Sequence, residues 1–198
     1  MSSPDGPLGL FGGAFDPPHR GHVELARRAK KALGLRRLLV LVSAAPGHKR
    51  IDTPAETRLR LARAAFPDDD VALDAHARTV ETLRAHPEWG ETVFLIGADE
   101  FCDFPSWREP DEVLRLTRLG VATRPGFPRD RLDAVLATLP APERVSFFEI
   151  EPTPVASREL RSQLGSGADV TFDVPAAVAG IIAREGLYGA EAGYTRSV

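Results

Sequence analysis

Continuous runs of apolar residues alternate along the chain with segments in which apolar residues recur every three or four positions. An apolar run of about four to eight residues is typical of a strand buried on both faces, and the longer spacing is typical of an amphipathic helix. The runs predict six strands, at residues 8–11, 37–43, 71–73, 92–96, 119–123 and 145–149.

The periodic segments between the runs predict helices. The first begins at residue 19 or 20 and stops at Gly34, a common helix terminator. In the second, Thr53 is expected to cap, Pro54 to take the first helical position and Glu56 to complete a capping box. Further helices are expected at residues 79–85, 109–116, 129–139, 157–164 and 174–185.

The repeated order of strand, helix and strand predicts an α/β fold, with one doubly wound, mainly parallel sheet and helices on both faces. The chain has 198 residues and is 43% hydrophobic, enough for one domain with a sizeable core. We expect this domain to span residues 1–189 and residues 190–198 to form a flexible C-terminal tail. Such sheets bind ligands at the carboxyl ends of their strands, where the strand order reverses.

The segment LFGGAFDPPHRGH, residues 10–22, lies at the end of the first predicted strand. Gly12 and Gly13 allow a close backbone approach to an anion and a positive φ. The helix after the two prolines presents free N–H groups and a partial positive charge. His19 and His22 are three residues apart on one helical face, and each imidazole can donate to a phosphate oxygen. The segment therefore predicts a phosphate site.

Two other interpretations of this segment stay open at this point. It could be an ordinary strand-to-helix turn, or His19, His22 and Asp16 could hold zinc, although this histidine spacing is a weak zinc signal. The dinucleotide fingerprint G-x-G-x-x-G and the P-loop motif are both absent from the sequence. An oxidoreductase of the Rossmann type and a Walker-type kinase therefore lose their main support.

Composition narrows the partners and the compartment. Cys102 is the only cysteine, which excludes an intramolecular disulfide and a four-cysteine zinc site. A net charge of -3 and a pI of about 6.0 argue against a nucleic-acid partner. No secretory signal and no apolar run of about 20 residues is present, so we expect a cytoplasmic protein with no membrane partner. A homo-oligomer stays open.

The segment GGAFDPPHRGH resembles the G-x-F-D-P-x-H-x-G-H signature of the nucleotidyltransferase superfamily. Four further segments resemble the bacterial nicotinate-nucleotide adenylyltransferase family: GADEFCDFPSW at 97–107, RPG at 124–126, VASRELR at 155–161 and GLYG at 186–189. The resemblance implies a Rossmann-like nucleotidyltransferase fold and an enzyme of NAD biosynthesis. Its reaction would be adenylyl transfer from Mg-ATP to nicotinate mononucleotide, which gives deamido-NAD and pyrophosphate.

The same resemblance implies an ATP site and three catalytic residues. His19 and His22 would bind the phosphates and stabilise the transition state at the α-phosphate, and Arg161 would contact the β- and γ-phosphates. Asp99 is similar to the family's ribose-binding aspartate and is also placed to cap a helix at residues 100–103. The implied ATP site consists of Gly12, Gly13, Phe15, His19, His22, Gly97, Asp99, Ser157 and Arg161.

A second set of residues is implied for nicotinate mononucleotide. Trp107 would stack on the pyridine ring, and the Thr79 hydroxyl and backbone N–H groups near Arg108 would receive the carboxylate. A basic loop after the second strand would meet the mononucleotide phosphate. The implied set is Asp16, His48, Lys49, Thr79, Trp107, Arg108 and Arg124. Magnesium is expected as Mg²⁺ carried by the ATP phosphates, with no metal held by protein ligands.

Alternatives to this function remain within and outside the superfamily. The acceptor could be nicotinamide mononucleotide or phosphopantetheine, although Trp107 favours a pyridine ring. A non-catalytic nucleotide sensor with the same fold would be expected to lose His19, His22 and Arg161, which are all present. The chain departs from the family pattern at Ala14, Arg78, Arg108, Ala156 and Arg158.

Overall fold

The computed structural model describes residues 6–45, 51–153 and 155–190. Six strands form one sheet in which every pair is parallel: β1 Leu8–Gly13, β2 Arg37–Ser43, β3 Asp70–Asp74, β4 Thr92–Gly97, β5 Arg118–Thr123 and β6 Val145–Glu149. The α-helices of this part of the chain are α1 Arg20–Ala32, α2 Ala55–Ala65, α3 Thr79–Ala85, α4 Ala98–Asp103, α5 Pro110–Leu116, α6 Arg129–Leu136, α7 Ser157–Gly165 and α8 Ala176–Glu185. Short 3₁₀ helices lie at Pro87–Trp89, Phe104–Ser106, Pro142–Arg144 and Leu187–Gly189.

The strand order is β3-β2-β1-β4-β5-β6, which confirms the predicted doubly wound sheet. The chain moves outward from β1 to β3 and then returns to place β4 on the other side of β1. In register, Leu10 of β1 lies between Leu39 of β2 and Phe94 of β4. The order reverses between β1 and β4, so the crevice that binds ligands in such folds opens at the carboxyl ends of these two strands.

Both faces of the sheet are covered, which explains the continuous apolar runs of the strands. Successive strand residues point to opposite faces, so Phe11 packs in the cluster beneath α1, α2, α7 and α8, and Leu10 packs in the cluster beneath α3 to α6. Leu10 is 0% exposed, and burial of such a side chain stabilises the fold by about 1.5–3 kcal/mol.

The ends of several helices differ from the prediction. The cap proposed at Thr53 is wrong: the extended backbone of Pro54, with φ -55 and ψ 144, makes Pro54 the N-cap, and the helix begins at Ala55 without a side-chain cap. Glu109 has a left-handed φ of 52, so α5 begins one residue late. α6 ends at Leu136 rather than at 139, and α8 begins after Pro175.

The end of the described chain is packed rather than loose. Ala190 packs against the core and its N–H donates to the carbonyl of Leu187 at 3.1 Å. The rest of the predicted tail, residues 191–198, lies outside the described residues. Among the described helices, none combines the length and the apolar character needed to cross a membrane.

Candidate active site

Residues 12–19 form the signature loop, which consists of the last two residues of β1 and the segment that joins β1 to α1. The predicted positive φ at Gly12 and Gly13 is wrong, because the left-handed residue of the loop is Phe15, with a φ of 51. The glycines are needed for space instead. A Cβ at Gly12 would lie 2.9 Å from Phe94 Cζ, and a Cβ at Gly13 would lie 3.0 Å from the Phe15 ring.

The Phe15 ring belongs to the core rather than to the crevice. It is 2% exposed and packs edge-on against Phe11, with ring centroids 5.3 Å apart, and against Phe66 at 5.8 Å. Its aromatic face is therefore used in packing, and only its backbone belongs to the surface of the loop. The expected contact of Phe15 with ATP stays a prediction for that backbone.

The two histidines form a stacked pair at the start of α1. His19 is the N-cap, and its backbone N–H donates to His22 Nδ1 at 3.1 Å, while the ring centroids lie 3.7 Å apart. The acceptor role of His22 Nδ1 fits the tautomer that carries its proton on Nε2. Burial lowers the pKa of the His19 imidazole to about 4, so this ring is neutral at pH 7. Its Nδ1 is buried without a hydrogen-bond partner among the described residues.

The first turn of α1 is less open than the sequence predicts. The Arg20 N–H donates to the carbonyl of Asp173 at 2.9 Å, and the His22 N–H donates to the carbonyl of His19 at 3.0 Å. The expectation of free N–H groups is therefore wrong at these two positions, since the α7–α8 connection and a tight turn satisfy them. The charge of the helix terminus still favours an anion.

Helix α7 is attached to the signature loop by two hydrogen bonds. The Ser157 hydroxyl donates to the carbonyl of Pro17 at 2.9 Å, and Arg161 Nη1 donates to the carbonyl of Asp16 at 2.6 Å. The structure thus brings Arg161 to the histidine-bearing loop, as the sequence predicts, and its side chain stays 34% exposed. The Ser157 hydroxyl already donates its hydrogen bond to the protein, so its contact with phosphate stays a prediction.

Asp16, a residue of the signature loop, has a buried side chain with protein partners. It is 2% exposed, its Oδ1 accepts from the Tyr188 hydroxyl at 2.8 Å, and its Oδ2 lies 3.6 Å from Arg161 Nη1. Tyr188 belongs to the GLYG motif, but its contact with Asp16 was not predicted. The contact of Asp16 with the mononucleotide stays a prediction.

Arg58 is a second residue of this region that was not predicted from the sequence. It is 2% exposed and donates to four carbonyl oxygens: those of Ala14 at 2.9 Å, Ser43 at 2.8 Å, Ala44 at 3.3 Å and Thr53 at 3.1 Å. These bonds join the signature loop to both ends of the segment after β2. Nothing in the sequence distinguishes Arg58 from its exposed neighbour Arg60.

The carboxyl ends of β4 and β5 bring two predicted residues together. Asp99 Oδ2 lies 3.6 Å from Arg124 Nη2, and the two side chains are 67% and 56% exposed. Gly97 leaves open space, with no atom within 4 Å of a Cβ built there. The capping role proposed for Asp99 is wrong, because α4 begins at Ala98 with Gly97 as its N-cap, and Asp99 lies in its first turn.

Trp107 is half-buried on the loop between α4 and α5. Its ring meets Phe104 at 5.4 Å and an interplanar angle of 62°, and Phe94 at 6.2 Å and 88°. Phe94 also packs against Gly12, so an aromatic contact connects Trp107 to the signature loop. One edge of the indole is therefore held while part of the ring remains exposed.

The remaining predicted mononucleotide residues are not assembled into one group. Thr79 is the first residue of α3 and is half-buried. Arg108 is 71% exposed and its Nε lies 3.5 Å from Glu109 Oε1. His48 and Lys49 lie outside the described residues. Within the described ranges, no three His, Cys, Asp or Glu side chains are placed to hold a metal ion, so the zinc alternative gains no support.

The structure brings the histidine pair and Arg161 together at the strand switch, the place where α/β proteins of this class bind anionic ligands. The cytidylyltransferase-like family matches residues 10–162, and the chain belongs to that family.

Curated relatives confirm the resemblance expected from the motifs. The chain is 36% identical over 195 residues to a protein of Thermomicrobium roseum named probable nicotinate-nucleotide adenylyltransferase, with 91% of each chain covered. A protein of the same name from Rubrobacter xylanophilus is 34% identical over 203 residues, covering 96% of this chain and 95% of the relative.

Solved structures show the same fold. Plasmodium falciparum nicotinic acid mononucleotide adenylyltransferase complexed with NaAD has a TM-score of 0.75 at 17% identity, with 93% of this chain and 98% of that chain covered. The complex of that protein with APC has a TM-score of 0.72, also at 17% identity. At this identity the likeness is evidence for the fold.

Proposed function

We propose that this protein transfers the adenylyl group of Mg-ATP to nicotinate mononucleotide and releases deamido-NAD and pyrophosphate. The observation that carries the proposal is the signature loop at the strand switch, which holds the His19–His22 pair and is hydrogen-bonded to the helix that bears Arg161. Relatives that are 36% and 34% identical over most of this chain carry the name of the proposed activity.

The reaction requires positioning and charge neutralisation more than covalent chemistry. A phosphate oxygen of the mononucleotide attacks the α-phosphorus of ATP in line and forms a new P–O bond. The bond between the α-phosphorus and the oxygen that bridges the α- and β-phosphates breaks, and this oxygen leaves with pyrophosphate. No enzyme-bound intermediate is needed. Catalysis of this kind comes from fixed donors around the phosphoryl oxygens.

The histidines act as neutral donors in this proposal. Two imidazoles with centroids 3.7 Å apart repel each other when both are charged, and burial already holds the pKa of His19 at about 4. His22 donates from Nε2 to a non-bridging oxygen of the α-phosphate. Arg161 supplies the permanent positive charge toward the β- and γ-phosphates.

Magnesium fits this arrangement as a partner of ATP. Mg²⁺ prefers phosphate oxygens and water to a full set of protein ligands, and the described residues contain no cluster of three metal-ligating side chains. When bound, Mg²⁺ neutralises charge on the departing pyrophosphate.

Asp99 binds the ATP ribose, while Arg124 beside it limits the negative charge there.

Trp107 selects the acceptor by stacking on the pyridine ring. The indole is held by Phe104 and Phe94, so it is ordered before the acceptor binds. A cytoplasmic location and a homo-oligomer remain predictions.

The test is pyrophosphate release with Mg-ATP and three acceptors in turn: nicotinate mononucleotide, nicotinamide mononucleotide and phosphopantetheine. We expect the highest kcat/KM with nicotinate mononucleotide. Trp107→Ala should raise the KM for that acceptor about tenfold, and Trp107→Phe, which keeps an aromatic face, should raise it less. Preference for phosphopantetheine would contradict the role of Trp107. The absence of pyrophosphate release with all three acceptors would contradict the proposed function.

A further inference from the structure

Tyr188 joins the C-terminal 3₁₀ helix to the signature loop across 172 residues of sequence. Its hydroxyl donates to Asp16 Oδ1 at 2.8 Å. The residue adopts a left-handed backbone, with φ 60 and ψ 22, which is uncommon for a bulky side chain. Strained backbone of this kind persists where the surrounding structure fixes it and is concentrated at functional sites.

Asp16 connects Tyr188 to Arg161. The Asp16 carbonyl accepts from Arg161 Nη1 at 2.6 Å, whereas the carboxylate Oδ2 stays 3.6 Å from the same nitrogen. The carboxylate is therefore close to the guanidinium without a direct hydrogen bond to it. Asp16 is 2% exposed, so its carboxylate is stabilised by protein partners rather than by water.

We propose that Tyr188 is a positioning residue that holds the Asp16 carboxylate away from Arg161, so that the guanidinium remains available to the phosphates of ATP. This inference rests on the proposed function. Without the Tyr188 hydroxyl, Oδ1 loses its donor, and among the described residues the cation that forms an ion pair with this carboxylate is Arg161, at 3.6 Å. The carboxylate then closes on the guanidinium and competes with ATP for it.

The phenol is suited to this role because it stays a donor. Burial, the largest cause, and the neighbouring Asp16 charge raise the pKa of Tyr188 far above its ordinary value. The hydroxyl is therefore protonated throughout the pH range of enzyme assays. The nearby Arg58 guanidinium is occupied with four carbonyl oxygens and offers Asp16 no direct hydrogen bond.

The first measurement is steady-state kinetics of Tyr188→Phe, which removes only the hydroxyl. We expect the KM for ATP to rise about tenfold and the KM for the acceptor to change less than about twofold. The matched control is Thr92→Val, which removes a buried hydroxyl donor to Thr117 Oγ1 at 2.7 Å, at the start of β4 and away from the crevice. This control should leave both KM values unchanged. Equal rises in both KM values of Tyr188→Phe would overturn the inference.

A double-mutant cycle separates positioning from general support of the fold. The dissociation constant of ATP is measured by calorimetry for wild type, Tyr188→Phe, Arg161→Ala and the double variant. If Tyr188 acts through Arg161, its substitution has no further effect once Arg161 is gone, so the two effects are not additive. Additive effects would overturn the inference.

A third variant keeps the test decisive if Tyr188→Phe does not fold. Asp16→Asn keeps an acceptor oxygen for Tyr188 and removes the charge that faces Arg161, so it should bind ATP at least as tightly as wild type. Tenfold weaker binding by folded Asp16→Asn would contradict the inference. A wild type that binds ATP but releases no pyrophosphate would overturn the proposed function alone, and one that binds no ATP would overturn both.

Discussion

Acidification from pH 7 to pH 5 is expected to destabilise the protein through His19. This side chain is 8% exposed, and burial lowers its pKa from 6.5 to about 4. Between these values the unfolded chain binds a proton at His19 and the folded chain does not. The free energy of unfolding therefore falls as the pH falls through this window.

The magnitude follows from the two pKa values. With 6.5 in the unfolded chain and about 4 in the folded chain, proton linkage removes about 2 kcal/mol between pH 7 and pH 5. That is a large part of a typical stability of about 5–15 kcal/mol. Glu24 and Glu112 do not contribute to this change, because their arginine partners lower the pKa of each carboxyl from 4.5 to about 2, and that stability is lost only at lower pH.

The assay is urea unfolding at pH 7 and pH 5 for wild type and His19→Gln. The variant keeps a polar side chain of similar size but cannot titrate, so its stability should change much less over the same interval. An equal loss of stability in wild type and His19→Gln would refute the reasoning.

Two further predictions concern the supports of the signature loop. Gly12→Ala places a Cβ 2.9 Å from Phe94 and should lower the free energy of unfolding by about 1–3 kcal/mol. Gly97→Ala, with open space around the new Cβ, should change the free energy of unfolding by less than about 1 kcal/mol and raise the KM for ATP. Urea unfolding and steady-state kinetics of the two variants check these results. Arg58→Met leaves four carbonyl oxygens without their donor and should lower the free energy of unfolding by about 3 kcal/mol or more. Arg60→Met removes an exposed ion pair with Glu185 and should lower the free energy of unfolding by less than about 1 kcal/mol. Equal losses in the two variants would contradict the role of Arg58.

The fold was predictable because the strands are apolar on both faces. A run such as residues 37–43 is typical of a parallel strand covered by helices on each side, and the structure places β2 at the same residues. Helix ends were less predictable. They depend on local backbone angles such as those of Pro54 and Glu109, which apolar periodicity does not determine.

The candidate site was predictable where its residues are close in sequence or belong to a motif of the family. His19 and His22 are paired by helical spacing, and the resemblance groups the distant Arg161 with them. Arg58 and Tyr188 were missed because their partners are distant carbonyl and carboxylate oxygens, which leave no local pattern. The role of the glycines was misplaced for a similar reason, since the ring that requires Gly12 belongs to another strand.

The most direct test of the proposed function is mass spectrometry of the products formed from Mg-ATP and nicotinate mononucleotide. We predict deamido-NAD and pyrophosphate in equal amounts, with formation strongly reduced in His22→Ala. Release of ADP and inorganic phosphate in place of the dinucleotide, or no product from a folded wild type that binds ATP, would contradict adenylyl transfer.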